Sequence, residues 1–128
     1  MPEFVKICYK SLNSRQQENY NFQKVAGFLA EYGFNCLKLS DDWQGADFLA
    51  CHIDGNRFLK IQLKGRMVID KKYADKEIFI AFLDGSDCYV YPHDKVRDAI
   101  SNRGHNFDAR SWPKLPQWAY EVLVDYKL

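Results

Sequence analysis

Apolar and polar residues alternate along this chain with two different periods, and the change of period marks the elements. Over residues 14–32, Val25, Phe28, Leu29 and Tyr32 recur at the i, i+3, i+4, i+7 spacing of one helix face, and Gly33 supplies a stop. The spacing predicts a helix there. Residues 34–39 form a short apolar run, and the turn-like SDDWQG separates it from the apolar stretch 46–53. Asp54-Gly55-Asn56 is a tight-turn signal between that stretch and 57–64, so these two runs are expected to form an antiparallel hairpin. A second hairpin is expected from 78–83 and 88–91 around the turn residues Asp84-Gly85-Ser86-Asp87. Pro92 ends it, and 93–101 reads as a short helix with Val96 and Ile100 inward. After Pro116, Trp118, Val122, Leu123 and Tyr126 fall at near-helical spacing, although a strand over 120–124 also fits. The order, one helix, three strands, a hairpin and helical segments, is that of an α/β fold with a mixed sheet.

Strand alternation turns this outline into a candidate site. Phe58, Lys60, Gln62 and Lys64 point to one face, while Leu59, Ile61 and Leu63 point to the other. Pairing about Gly55 sets residue 47 against residue 63, which brings Asp47 beside Gln62 and Lys64 at the open end of the hairpin. A carboxylate from Asp47, the amide oxygen of Gln62 and the main-chain carbonyl of Leu63 are hard oxygen donors suited to magnesium or manganese. Lys64 beside such an ion would position or deprotonate a water and balance charge on a reacting phosphate. The alternative from spacing alone is a solvated strand face with an aspartate at a turn.

These residues also carry a family resemblance. Asp47 in GADF, the strand FLKIQLK and the upstream helix ending EYGF resemble the PD-(D/E)XK, or restriction endonuclease-like, nuclease superfamily over residues 14–91. The resemblance implies an α-β-β-β core with a mixed central sheet flanked by helices, and magnesium-dependent hydrolysis of phosphodiesters, usually in DNA rather than RNA. Asp47 matches the first aspartate of the motif, Gln62 the second acidic position and Lys64 the lysine. Two positions depart from it: Ala46 stands where proline is frequent, and Gln62 leaves the site one negative charge short. Glu18 is the candidate to supply that charge, because it lies on the helical stripe of Val25 with Asn21 between them. Glu18 also fits an ordinary surface position.

Charge and composition narrow the setting. The chain has 128 residues, 47% of them hydrophobic and 16% aromatic, enough for one packed domain over 1–128. A net charge of +1 means that a nucleic-acid surface must come from local clustering. Arg66, Lys71, Lys72 and Lys76 follow the candidate site in a segment expected to be flexible, and with Asn21 they are the candidate nucleic-acid contacts. Arg103, His105 and Arg110 lie in a later loop and could reach nucleic acid across a cleft, or be plain surface. Asp41 and Asp42 read as turn residues, with an accessory metal role as the alternative. The three histidines have no metal-ligand spacing, and the four cysteines, at 8, 36, 51 and 88, read as small buried hydrophobes in a reducing compartment. The start MPEFVKICYK lacks the features of a signal peptide, and no stretch reaches the roughly 18 apolar residues of a membrane span, so a cytoplasmic location is expected. Cutting both strands needs two sites, which implies a homodimer. Two rivals remain. One is a catalytically inactive module of the same fold that binds nucleic acid or protein. The other is a subunit that binds a protein partner through Trp112, Trp118 and Tyr120, which otherwise serve as core aromatics.

Overall fold

Two registers, one for each tight turn flanking the strand over 46–52, decide where the polar residues of this chain end up. The computed structural model describes residues 2–107 and 115–128, so Arg110 and Trp112 lie outside the described residues. Helix α1 spans Ser14–Ala30, followed by strands β1 (Phe34–Trp43), β2 (Ala46–His52), β3 (Phe58–Leu63), β4 (Ile78–Asp84) and β5 (Asp87–Pro92), then helix α2 (His93–Asn102). The tail is a run of 3-10 turns over Gln117–Tyr126, which settles the choice between a helical segment and a strand.

Asn13 starts α1 with a reciprocal cap. Its side chain accepts the Gln16 N–H at 2.8 Å, and the Gln16 amide oxygen accepts the Asn13 N–H at 2.9 Å. Gly33 ends the turn that follows at a φ of 85°, open to glycine at little cost. Of the four apolar positions expected to face inward, Val25 and Leu29 are buried and Phe28 packs beside them, but Tyr32 is half-exposed because it lies past the helix end.

The five strands lie side by side in chain order, antiparallel except for the parallel pair β3 and β4. Both faces of the sheet are covered at its centre, while the edge strand β1 stays largely exposed. Val25 and Leu29 of α1 pack with Phe48, Ala50, Ile61 and Ala81 on one side. On the other, Val96 and Ile100 of α2 and Ala119 and Leu123 of the tail pack with Ile78, Ile80 and Phe82. This is why β4 reads as an unbroken apolar run, IFIAFL: alternate residues enter different cores. Leu128 donates its N–H to the Cys88 carbonyl at 2.8 Å, so the C-terminus covers part of the β5 edge.

Three expectations need correction. The first strand does not stop at residue 39 but runs to Trp43, because only Gln44 and Gly45 form the turn to β2, with φ of 52° and 88°. The segment 64–77, expected to be flexible, is pinned along its length. Met67, Ile69 and Tyr73 are buried, Tyr91 Oη accepts the Val68 N–H at 2.9 Å, His93 Nε2 accepts the Asp70 N–H at 3.0 Å and Asp94 accepts the Asp75 N–H at 2.9 Å. Finally, only Cys88 is buried; Cys36 and Cys51 are half-buried and Cys8 is exposed.

Candidate functional site

The hairpin of β2 and β3 closes one residue away from the symmetric arrangement about Gly55. His52 donates its N–H to the Arg57 carbonyl at 2.9 Å, so the loop comprises residues 53–56 and its centre lies between Asp54 and Gly55. Phe48 therefore pairs with Ile61, and one step further the same register carries Asp47 to Gln62 rather than to Leu63. A one-residue shift exchanges the faces of a strand, and here it places Asp47 across from Gln62. The Asp47 carboxylate also terminates the ladder: its Oδ2 accepts the Leu63 N–H at 2.8 Å.

The second register adds a residue. Trp43 pairs with Ala46 through the two-residue turn, and the β1–β2 register then slips before Lys38 pairs with Phe48. Residues 39–42 of β1 therefore run past Asp47 at an irregularity that brings Asp42 near it. The Asp42 carboxyl is close enough to act on that of Asp47. Asp47 is pushed up from 3.8 to about 6, first by burial and then by Asp42 and Glu18, against the lowering effect of the Leu63 N–H. Like charges brought close together repel and disfavour the charged form. Neutral Asp47, or a bound cation, relieves that repulsion.

Gln62 is the other unusual group. Its Oε1 is buried and accepts no hydrogen bond, an uncommon state for a buried amide oxygen. Lys64 is half-buried; its N–H donates to the Ala81 carbonyl at 2.9 Å, and its Nζ lies 5.4 Å from the centre of the Tyr73 ring.

Asp47, Gln62, Leu63 and Lys64 share the wall of one cleft of about 420 Å3 with Glu18 and Asn21 of α1. The helix and the hairpin thus bring the expected site residues to one place. Arg66, Lys71, Lys72 and Lys76 stand on the segment after β3, exposed and outside the cleft wall, with Lys72 Nζ 5.2 Å from the Tyr73 ring centre. Arg103 lies over Trp118 at 4.5 Å and pairs with Glu121 at 3.0 Å, and Trp118 packs against the core. Tyr9 borders the cleft without any periodic signal to mark it, since it belongs to a short 3-10 turn before α1. Asp42 was legible as a turn residue, with an accessory metal role as the alternative; the Gln-Gly pair after Trp43 is the signal that places it on the strand instead.

Among the described residues, no three His, Cys, Asp or Glu side chains come together closely enough to hold an ion by themselves. Metal binding here therefore requires amide and main-chain oxygens as well as carboxylates. Among the described residues no helix is long and apolar enough to cross a membrane.

A mixed five-stranded sheet with helices on both faces and a polar cleft at the end of a hairpin is a nuclease-like α/β fold. The fold is similar to that of the bacterial homing endonuclease I-Ssp6803I, with a TM-score of 0.51 over 90% of this chain and 86% of that one, at 15% sequence identity. No protein-family model and no curated protein sequence matches this chain.

Proposed function

We propose that this protein is a metal-dependent endodeoxyribonuclease of the PD-(D/E)XK kind, with Gln62 at the second acidic position and the cleft between α1 and the β2–β3 hairpin as its active site. The observation that carries this reading is the unpartnered, buried Oε1 of Gln62 beside the raised carboxyl of Asp47. These are the donors an oxygen-seeking divalent ion takes, and such an ion uses few protein ligands, completing its shell with waters and substrate phosphate. Asp47, Gln62 and the Leu63 carbonyl would hold it, with Asp42 supplying the negative charge that Gln62 lacks and Glu18 adding to the field. Magnesium or manganese bound there supplies positive charge to a phosphodiester oxygen.

The remaining steps belong to the chain. The Leu63 N–H fixes one oxygen of Asp47, so the carboxylate needs little reorganisation. Lys64, steadied by the Tyr73 ring, orients the attacking water and stabilises negative charge that develops on the phosphate oxygens. Arg66, Lys71, Lys72 and Lys76 attract the phosphate backbone from a segment held rigid by Tyr91, His93 and Asp94. DNA is the substrate by analogy with the fold neighbour, a cytoplasmic homodimer the working form. A non-catalytic module that binds nucleic acid is the second reading, favoured by the lack of an all-acidic cluster among the described residues.

Calorimetric titration with manganese tests the assignment. The wild type binds one ion per chain and Asp47→Asn binds none; equal binding by both, or binding by neither, contradicts it.

A further inference from the structure

The active-site cleft does not end at Lys64. A second cavity of about 360 Å3 continues from it, with Tyr9, Asn21, Lys64 and Gly65 common to both walls. Tyr20, Leu83 and Gly85 complete the extension. Its volume lies within the range of about 300–1,000 Å3 that accommodates small organic ligands.

Two aromatic rings line this extension outside the hydrophobic cores. Tyr9 and Tyr20 meet edge to face at 5.2 Å, each more than a third exposed, and neither belongs to the two hydrophobic cores. Tyr9 is nevertheless fixed: Asn21 donates to its hydroxyl at 2.9 Å and Gln17 donates to its carbonyl at 3.3 Å. A partly exposed aromatic ring held by an edge contact and by hydrogen bonds is preorganised for a flat partner. The charges agree with a nucleotide. The described residues of the extension include no carboxylate, Lys64 stands at the shared wall, and Lys24 lies over the outer Tyr20 ring at 5.5 Å.

Resting on the nuclease reading, we propose that Tyr9 and Tyr20 form a stacking subsite for one unpaired nucleobase of the strand whose phosphate lies at Lys64. Stacking on aromatic side chains is tolerant of sequence and needs a base outside the duplex. The substrate is then single-stranded or locally unpaired DNA, with the base lodged between the N-terminal turn and the β4–β5 turn. Asn21 is a positioning residue in this arrangement, acting through the Tyr9 hydroxyl.

The test is equilibrium binding without divalent metal, at one stated salt concentration. The probes are a short single-stranded oligodeoxynucleotide carrying a fluorescent adenine analogue whose emission is quenched on stacking, and the same strand in a duplex. Wild type binds the single strand about tenfold more tightly than the duplex and quenches the probe. Tyr9→Leu loses the quench and about tenfold in affinity, as expected for one stacked base, while Tyr9→Phe keeps the stacking ring but not the Asn21 bond, so it retains the quench and loses part of the affinity. Tyr20→Leu gives a second reading of the same subsite should Tyr9→Leu fail to fold. Equal affinity of the wild type for both probes, or a full quench by both leucine variants, overturns the proposal. Manganese titration of the same wild-type preparation keeps the two readings apart: lack of metal binding defeats the nuclease reading and leaves the stacking result standing, whereas metal binding without a quench defeats the subsite alone.

Discussion

Asp42 stands beside Asp47 near the two-residue turn at Gln44 and Gly45, where the register between β1 and β2 slips, and its carboxyl acts on that of Asp47. Such a pair opposes folding at neutral pH and favours cation binding, so the two properties should separate on substitution. Asp47→Asn keeps an oxygen to accept the Leu63 N–H while removing the repulsion. Its metal-free form should gain up to about 1 kcal/mol at pH 7 while losing manganese binding. Urea denaturation with and without manganese measures both.

The pH dependence follows from the same pair. Because the Asp47 carboxyl is raised from 3.8 to about 6, the folded protein holds a proton there that the unfolded chain has already released. Stability without metal therefore declines as pH climbs from about 4 through about 6 and then levels off, insofar as this group decides it. Asp42→Asn should make that decline shallower without abolishing it, because burial of Asp47 is the larger cause. Denaturation midpoints across this window, for wild type and variant, provide the check.

His93 gives a slope of opposite sign. It is fully buried, accepts the Asp70 N–H, and contacts Asp94 through Nδ1 at 2.8 Å. Burial holds its pKa below the ordinary 6.5, so this contribution to stability is complete above 6.5 and is lost as pH falls through the depressed value. His93→Ala leaves the Asp70 N–H without its acceptor and opens a cavity, at a cost of about 2 kcal/mol or more. Hydrogen exchange should show the amides of 66–77 losing protection more than those of α1.

Gln62→Glu places a third carboxylate beside Asp42 and Asp47. Manganese affinity should rise on the order of tenfold, because charge count governs affinity at oxygen sites. Stability of the metal-free variant should fall at pH 7 for the same reason. Calorimetry and thermal unfolding read these effects separately, and comparison with Glu18→Gln shows how much of the field comes from the helix.

Much of the fold was legible because apolar spacing and turn chemistry agreed. Val25 and Leu29 declare the buried face of α1, and the alternation of β4 declares a strand covered on both sides. Asp47, Gln62 and Lys64 could be gathered from the hairpin, yet symmetry about Gly55 set Asp47 against Leu63. The actual register depends on the His52–Arg57 closure, a matter of loop conformation rather than composition. Asp42 was obscured because aspartate, serine and glycine all favour turns, and only pairing of Trp43 with Ala46 shows that the strand continues through it. The firm anchoring of 64–77 depends on Tyr91 and His93, which are remote in sequence, so local charge pattern made that segment look like a loose basic loop.

Lys64 is half-buried at the end of β3 with an aromatic ring beneath it, in a cleft it shares with Asp47 and Gln62. The most direct measurement of what this cleft does is magnesium-dependent cleavage of plasmid, single-stranded and branched DNA by wild type, Lys64→Ala and Asp47→Asn, with binding to the same substrates measured at one salt concentration. Wild type should cleave at least one substrate, and both variants should lose about a hundredfold or more in rate. Lys64→Ala should keep most of its DNA affinity, since Arg66, Lys71, Lys72 and Lys76 remain. Cleavage at equal rates by all three proteins, or binding without cleavage by wild type under every metal tried, would contradict a nuclease centred on Asp47, Gln62 and Lys64.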